Sequence, residues 1–155
     1  MDNRKRILVV EDDQDDELLI LEALGQSQLL DLVVTVRGGA EALDYLFCTG
    51  RHARRSPQDL PDLILLDLRM PGVSGIEVLD RIRADSRVRL IPVVVFSGSD
   101  ARRDLEASYL GGANSFVQKP AEFSAFADVL RQVWHYWSSV NAALPDLREE
   151  LIQRA

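Results

Sequence analysis

Leu63-Ile64-Leu65-Leu66-Asp67 places an acid directly after four aliphatic residues, and related endings recur three more times along the chain. Ile7-Leu8-Val9-Val10 runs into Glu11-Asp12-Asp13, Val93-Val94-Val95-Phe96 ends on Ser97, and Ser115-Phe116-Val117-Gln118 ends on Lys119-Pro120. Short aliphatic runs without alternation read as strands buried on both faces, the pattern of a parallel sheet. In such a sheet the C-terminal strand ends share one edge. An acidic pair, a lone Asp, a hydroxyl and a lysine are therefore expected to converge on one crevice.

Helical patterns separate these runs. Leu18, Leu19, Leu21 and Leu24 mark an amphipathic helix that ends near Gly25, and residues 32–36 read as a β-branched second strand. Gly38-Gly39 leads into a helix through about Phe47, followed by a basic loop from Thr49 to Pro57 that is longer than a compact domain needs. Ile76, Leu79 and Ile82 carry a third helix. Pro92 opens the next strand, and Asp100 is expected to cap a fourth helix that Gly111-Gly112 ends. From Glu122 a fifth helix carries Phe123, Phe126, Leu130, Val133, Trp134 and Trp137, and is expected to reach about Val140.

Five successive βα units specify an α/β fold, a doubly wound five-stranded parallel sheet of flavodoxin-like order 2-1-3-4-5. Ligands of such sheets bind at the carboxyl ends of the strands. Residues 1–137 are read as this domain. Residues 138–155 are read as a C-terminal helical extension, with Pro145 opening a short helix from Asp146 to Arg154.

A chain of 155 residues is expected to form one domain, and its net charge of −7 argues against non-specific nucleic-acid binding. No stretch approaches the roughly 20 apolar residues of a membrane span. The apolar run behind the charged N-terminus is too short for a signal peptide. Cys48 is the only cysteine, which rules out an intramolecular disulfide; it reads as a small hydrophobe on a helix. These features point to a cytoplasmic protein with neither a nucleic-acid nor a membrane partner.

Neighbouring strands lie about 4.8 Å apart, so Glu11 and Asp12 are expected to face Asp67 across strands 1 and 3. Carboxylates that close repel and raise one another's pKa unless a cation sits among them. Their hard oxygens suit Mg²⁺, or Mn²⁺ in its place. The plainer reading of Asp12 and Asp13 is a solvated helix start. Asp67 is harder to dismiss, because an acid after four aliphatics sits poorly in a bare core. A carboxylate can accept a phosphoryl group, whose oxygens then need fixed donors and positive charge. Ser97 offers a hydroxyl, and Lys119, two strands away at about 10 Å, has a long stem. A cis Lys119-Pro120 bond is one way to aim that stem inward, although trans is the statistical default. The chain has 16 arginines and two lysines, so a lysine at this position suggests that a compact ammonium is wanted. The other, Lys5, falls in an N-terminal tail expected to be disordered.

Taken together, Glu11-Asp12-Asp13, Asp67 with Met70-Pro71-Gly72, Ser97 and Lys119-Pro120 resemble the receiver domains of bacterial two-component response regulators, over about residues 5–135. The resemblance implies Mg²⁺ bound directly by Asp12 and Asp67, through water by Glu11, and by the backbone carbonyl of Arg69. It implies a phosphoacceptor signalling protein, not an enzyme in its own right, although it assists its own phosphotransfer and dephosphorylation. Asp67 would become the 4-aspartylphosphate, supplied by a histidine kinase, while Ser97 and Lys119 hold the phosphoryl oxygens. Phe116 falls at the aromatic switch position that responds to Ser97. Arg69, two residues past the acceptor, is bulky enough to shield an acyl phosphate from water. The long loop, the tail and the lack of an effector domain look like the stand-alone regulators paired with bacterial phytochrome kinases.

His52 and His135 show no metal-ligand spacing, and the Arg51 to Arg55 run reads as a solvated loop. Trp134, Tyr136 and Trp137 suit core packing, or else a homodimer surface. An Asp-nucleophile phosphatase would need a second Asp where Arg69 stands. A nucleotide binder would want a glycine-rich loop where Glu11-Asp12-Asp13 stands. The remaining alternative is a degenerate receiver, an interaction module that works without phosphorylation.

Overall fold

The computed structural model describes residues 5–26, 32–144 and 153–154. Five parallel strands, β1 (Ile7–Val10), β2 (Val33–Val36), β3 (Leu63–Leu66), β4 (Val93–Ser97) and β5 (Ser115–Gln118), form one sheet in the order β2-β1-β3-β4-β5. Five helices follow the strands: α1 (Gln14–Gly25), α2 (Gly39–Phe47), α3 (Gly75–Ala84), α4 (Arg102–Leu110) and α5 (Phe123–His135). The expected doubly wound sheet is therefore present. β1, β3 and β4 are buried along their whole length, as their unbroken aliphatic runs require.

Alternate strand residues feed two cores. Leu8, Val10, Ile64, Leu66 and Val93 pack under α2 and α3, with Val78, Leu79 and Ile82. Ile7, Val9, Leu63, Leu65, Val94 and Phe96 face α1 and α5, with Ile20, Leu24, Phe126 and Leu130. Registers Val10↔Leu66 and Leu66↔Val95 set the ends of the three central strands side by side. That alignment makes the crevice.

Several local expectations change. Asp100 does not cap α4: Ala101 occupies the cap position without a side-chain bond, and the Ala101 N–H donates to Ser99 Oγ instead. The fifth helix does reach Val140 as expected, but only to His135 as an α-helix; Tyr136–Val140 continue it as a π turn. Trp134 and Trp137 are partly buried against the α1/α5 core, as the packing reading expects, while Tyr136, Val140 and Leu144 are exposed. Cys48 is not inside a helix; it caps α2 in the left-handed conformation, with φ of 56°.

The basic loop is tied down. Arg55 is half-buried, stacks 3.5 Å over the Tyr45 ring, and donates to the carbonyls of Tyr45 and Asp59. His52 lies edge-on to Tyr45 and contacts Glu41, while His135 is exposed. Lys5 is not in a free tail: its ammonium donates to the carbonyls of Ser138 at 2.8 Å and Trp137 at 3.4 Å. The short helix from Asp146 to Arg154 lies largely outside the described residues.

Candidate functional site

Each residue singled out at a strand end lies on the carboxyl edge of the sheet. Glu11 follows β1 and is 2% exposed, because its backbone N–H continues the β2 ladder by donating to the Val36 carbonyl. Asp67 follows β3 and is held by its own N–H on the Val10 carbonyl. Ser97 closes β4 and is 1% exposed. The Lys119 N–H donates to the Ser97 carbonyl at 2.8 Å, which fixes the lysine's backbone to the end of β4. Among the described residues all peptide bonds are trans, Lys119-Pro120 included, so the side chain enters the crevice without a cis turn.

Glu11, Asp12 and Asp67 each bring one carboxylate oxygen within 4.8 Å of the others. Burial pushes the Glu11 carboxyl up to about 7, with the Asp67 charge adding to the rise against the pull of Lys119. Burial likewise raises Asp67 above the ordinary carboxylate range, although the Lys119 charge opposes it. Carboxylates this close and this dry suit a hard divalent cation, which would remove the repulsion that raises them. The donor set fits that group.

The ammonium of Lys119 closes the other side. It lies 2.6 Å from Glu11 Oε2, 2.8 Å from Asp16 Oδ2 and 3.5 Å from Asp67 Oδ1. Burial works against its charge, but the hydrogen bonds to Asp16 and Glu11 hold it protonated above the usual lysine range. Asp16 was not among the residues singled out by sequence. Asp13, by contrast, is the N-cap of α1, accepting from the N–H groups of Asp15 and Asp16, as the plainer reading of that position held.

Asp67, Arg69, Ser97, Gly98, Ser99 and Asp100 line an open cleft of about 270 Å³. Ser97 Oγ accepts from the Ser99 N–H at 3.2 Å. The Arg69 side chain is exposed and pairs with Asp104 at 3.0 Å, with Ser99 Oγ at 3.4 Å. Phe116 is half-buried on the edge strand, in register with Val95. A larger groove of about 640 Å³ between α2 and α3 carries no comparable set of groups.

Gly75 explains how α3 packs so close to the acceptor. A Cβ there would sit 2.2 Å from the Asp67 carbonyl oxygen and 2.7 Å from Leu68 Cα. Gly75→Ala is expected to cost about 1–3 kcal/mol by overpacking. Urea unfolding checks this, and an unchanged midpoint would count against the close approach.

Comparison with known proteins agrees with this geometry. Residues 7–131 match the model of the response regulator receiver domain. The probable methanogenesis regulatory protein FilR2 of Methanothrix harundinacea is 36% identical, over 87% of this chain and 84% of its own. Response regulator Rcp1 of Synechocystis is 33% identical, over 86% of this chain and 88% of its own. A crystal structure of Rcp1 in its Mn²⁺-bound form superposes with a TM-score of 0.82 at 30% identity, over 91% of this chain and 99% of that one. The phosphorylated cyanobacterial phytochrome response regulator RcpA superposes with a TM-score of 0.83 at 40% identity, covering 90% of this chain and 98% of its own. Among the described residues no helix is long and apolar enough to cross a membrane.

Proposed function

This chain belongs to the response regulator receiver family, and from that premise we propose that it takes a phosphoryl group from a histidine kinase onto Asp67, in the presence of Mg²⁺ or Mn²⁺. The observation that carries the reading is the meeting of Glu11, Asp12 and Asp67 with the single ammonium of Lys119 beside an open cleft.

In this reading an Asp67 carboxylate oxygen attacks the phosphorus of the donor. The bond from phosphorus to the donor's imidazole nitrogen breaks, and its electron pair leaves with the imidazole. Asp12 and Asp67 would hold the cation directly, Glu11 through water, and the Arg69 carbonyl would complete the protein's share. When bound, the cation supplies positive charge for the acceptor and the phosphoryl oxygens. Lys119 neutralises one of those oxygens and Ser97 donates its hydroxyl to another. Phe116 would repack as Ser97 turns toward the phosphoryl group. Acetyl phosphate with Mg²⁺ is expected to add one phosphoryl group, read by intact mass. A wild-type chain that stays unlabelled would sink the reading.

The partner kinase is proposed to be of phytochrome type, because RcpA and Rcp1 resemble this chain over most of its length. The same reading keeps the protein in the cytoplasm and treats 1–137 as the receiver, with 138–155 as an appendage. Tyr136, Val140 and Leu144, each about half exposed, support self-association through the end of α5. Val140→Glu is expected to halve the mass seen by light scattering, and an unaltered dimer would remove this surface.

A further inference from the structure

Lys119 has three carboxylate neighbours, and they are not equivalent. Glu11 and Asp67 also belong to the trio whose oxygens lie within 4.8 Å of one another. Asp16 stands outside that trio, yet its Oδ2 is 2.8 Å from the ammonium, closer than Asp67 at 3.5 Å. A divalent cation among the trio would compete with Lys119 for the carboxylates of Glu11 and Asp67. Asp16 is then the one partner that the lysine keeps in full.

We infer that Asp16 is a positioning residue: it holds the Lys119 ammonium to the α1 side of the crevice, so that the lysine does not close on Asp67 in competition with the metal. The inference rests on the proposed phosphoacceptor reading and adds to it a residue on the first turn of α1. An ammonium has three donors. With Asp16 present, the two short bonds to Glu11 and Asp16 hold the nitrogen on the α1 side, 3.5 Å from Asp67. Without it, one of the two short anchors is lost, and the nitrogen is free to close the 3.5 Å gap to Asp67 as an ion pair over the acceptor oxygen. Metal binding must then break that pair. Asp16 is about one-third exposed, and its replacement by Asn leaves the helix start and the Asp13 cap in place.

The experiment is a double-mutant cycle on the full chain, with Mg²⁺ affinity measured by calorimetry and acetyl-phosphate labelling measured in parallel. Asp16→Asn is expected to weaken Mg²⁺ binding roughly tenfold, the scale set by residues that orient metal ligands. The same change in a Lys119→Met background is expected to do almost nothing, because the residue acts through the lysine. Asp16→Glu is expected to recover most of the affinity by restoring a carboxylate within reach of Lys119. Loss of one negative charge alone would weaken binding equally in both backgrounds, and that result overturns the inference. Unchanged affinity in Asp16→Asn overturns it too. In both cases the wild-type chain still binds Mg²⁺ and is labelled. A wild-type chain that does neither brings down the underlying reading and this inference together.

Discussion

Asp67→Asn is expected to abolish labelling by acetyl phosphate while making the metal-free protein more stable at neutral pH. The two effects have one origin. The carboxylate that serves as acceptor is 8% exposed, and its pKa is raised by burial, so its charge opposes folding. The Asp67 charge also contributes to the rise in Glu11. An amide of the same shape cannot form an acyl phosphate, and it removes one of the three crowded charges. Intact mass reads the first effect and urea unfolding the second. Residual labelling of the variant would move the acceptor elsewhere. A drop in stability would show that the carboxylate is needed to hold the crevice together.

The second large effect belongs to Lys119. Lys119→Met leaves Glu11, Asp16 and Asp67 without their common cation, and breaking a buried pair from one side costs about 3 kcal/mol or more. The cost depends on pH. In the parent chain the Glu11 carboxyl titrates at about 7 against an ordinary 4.5, so the folded form holds its proton more tightly than the unfolded form. Between those values the unfolded chain gives up a proton that the folded chain keeps, so this group's share of stability falls as pH rises. The full span is worth on the order of 3 kcal/mol. Removing Lys119 takes away a hydrogen bond and a charge that lower Glu11, which extends the falling range above 7. The variant should therefore suffer more at pH 8 than at pH 5, and Mg²⁺ should return part of the loss. Equal losses at both pH values would mean that only packing of the lysine stem had been removed.

The order of the strands and the crevice at their ends were legible because both follow from period and position. Four aliphatic runs end on polar residues, and a parallel sheet leaves those ends no other place to go. What stayed hidden depended on the rotation of a helix or on distant partners. Asp16 sits in a run of acids that reads as a solvated helix start, and only the turn of α1 shows which of them faces β5. Lys5 bonds to carbonyls 132 and 133 residues away, beyond any local pattern. Arg55 reads as one cation in a basic loop until Tyr45 is seen beneath it. The cap of α4 was misplaced for another reason. Asp100 has the right chemistry, but Ala101 stands at the cap position, its N–H donating to Ser99 Oγ, which in turn donates to Asp104. One signal was readable and went unread: Ser74-x-x-Glu77 is a capping box, present in both directions at the start of α3.

The two lysines are the only side-chain primary amines in the chain, and both are engaged. Lys119 is enclosed by three carboxylates, and Lys5 is fastened to the π turn after α5. A reagent that acylates amines needs the unprotonated, accessible nitrogen, and the enclosed Lys119 ammonium, 9% exposed, does not offer one readily. The molecule thus presents an arginine-rich but amine-poor face to its surroundings. Acetyl phosphate, which can acetylate amines as well as phosphorylate aspartates, meets only two lysine side chains here to divert it. For cross-linking, chemistry aimed at the 25 carboxylate side chains will map far more of this protein's contacts than reagents limited to two lysines.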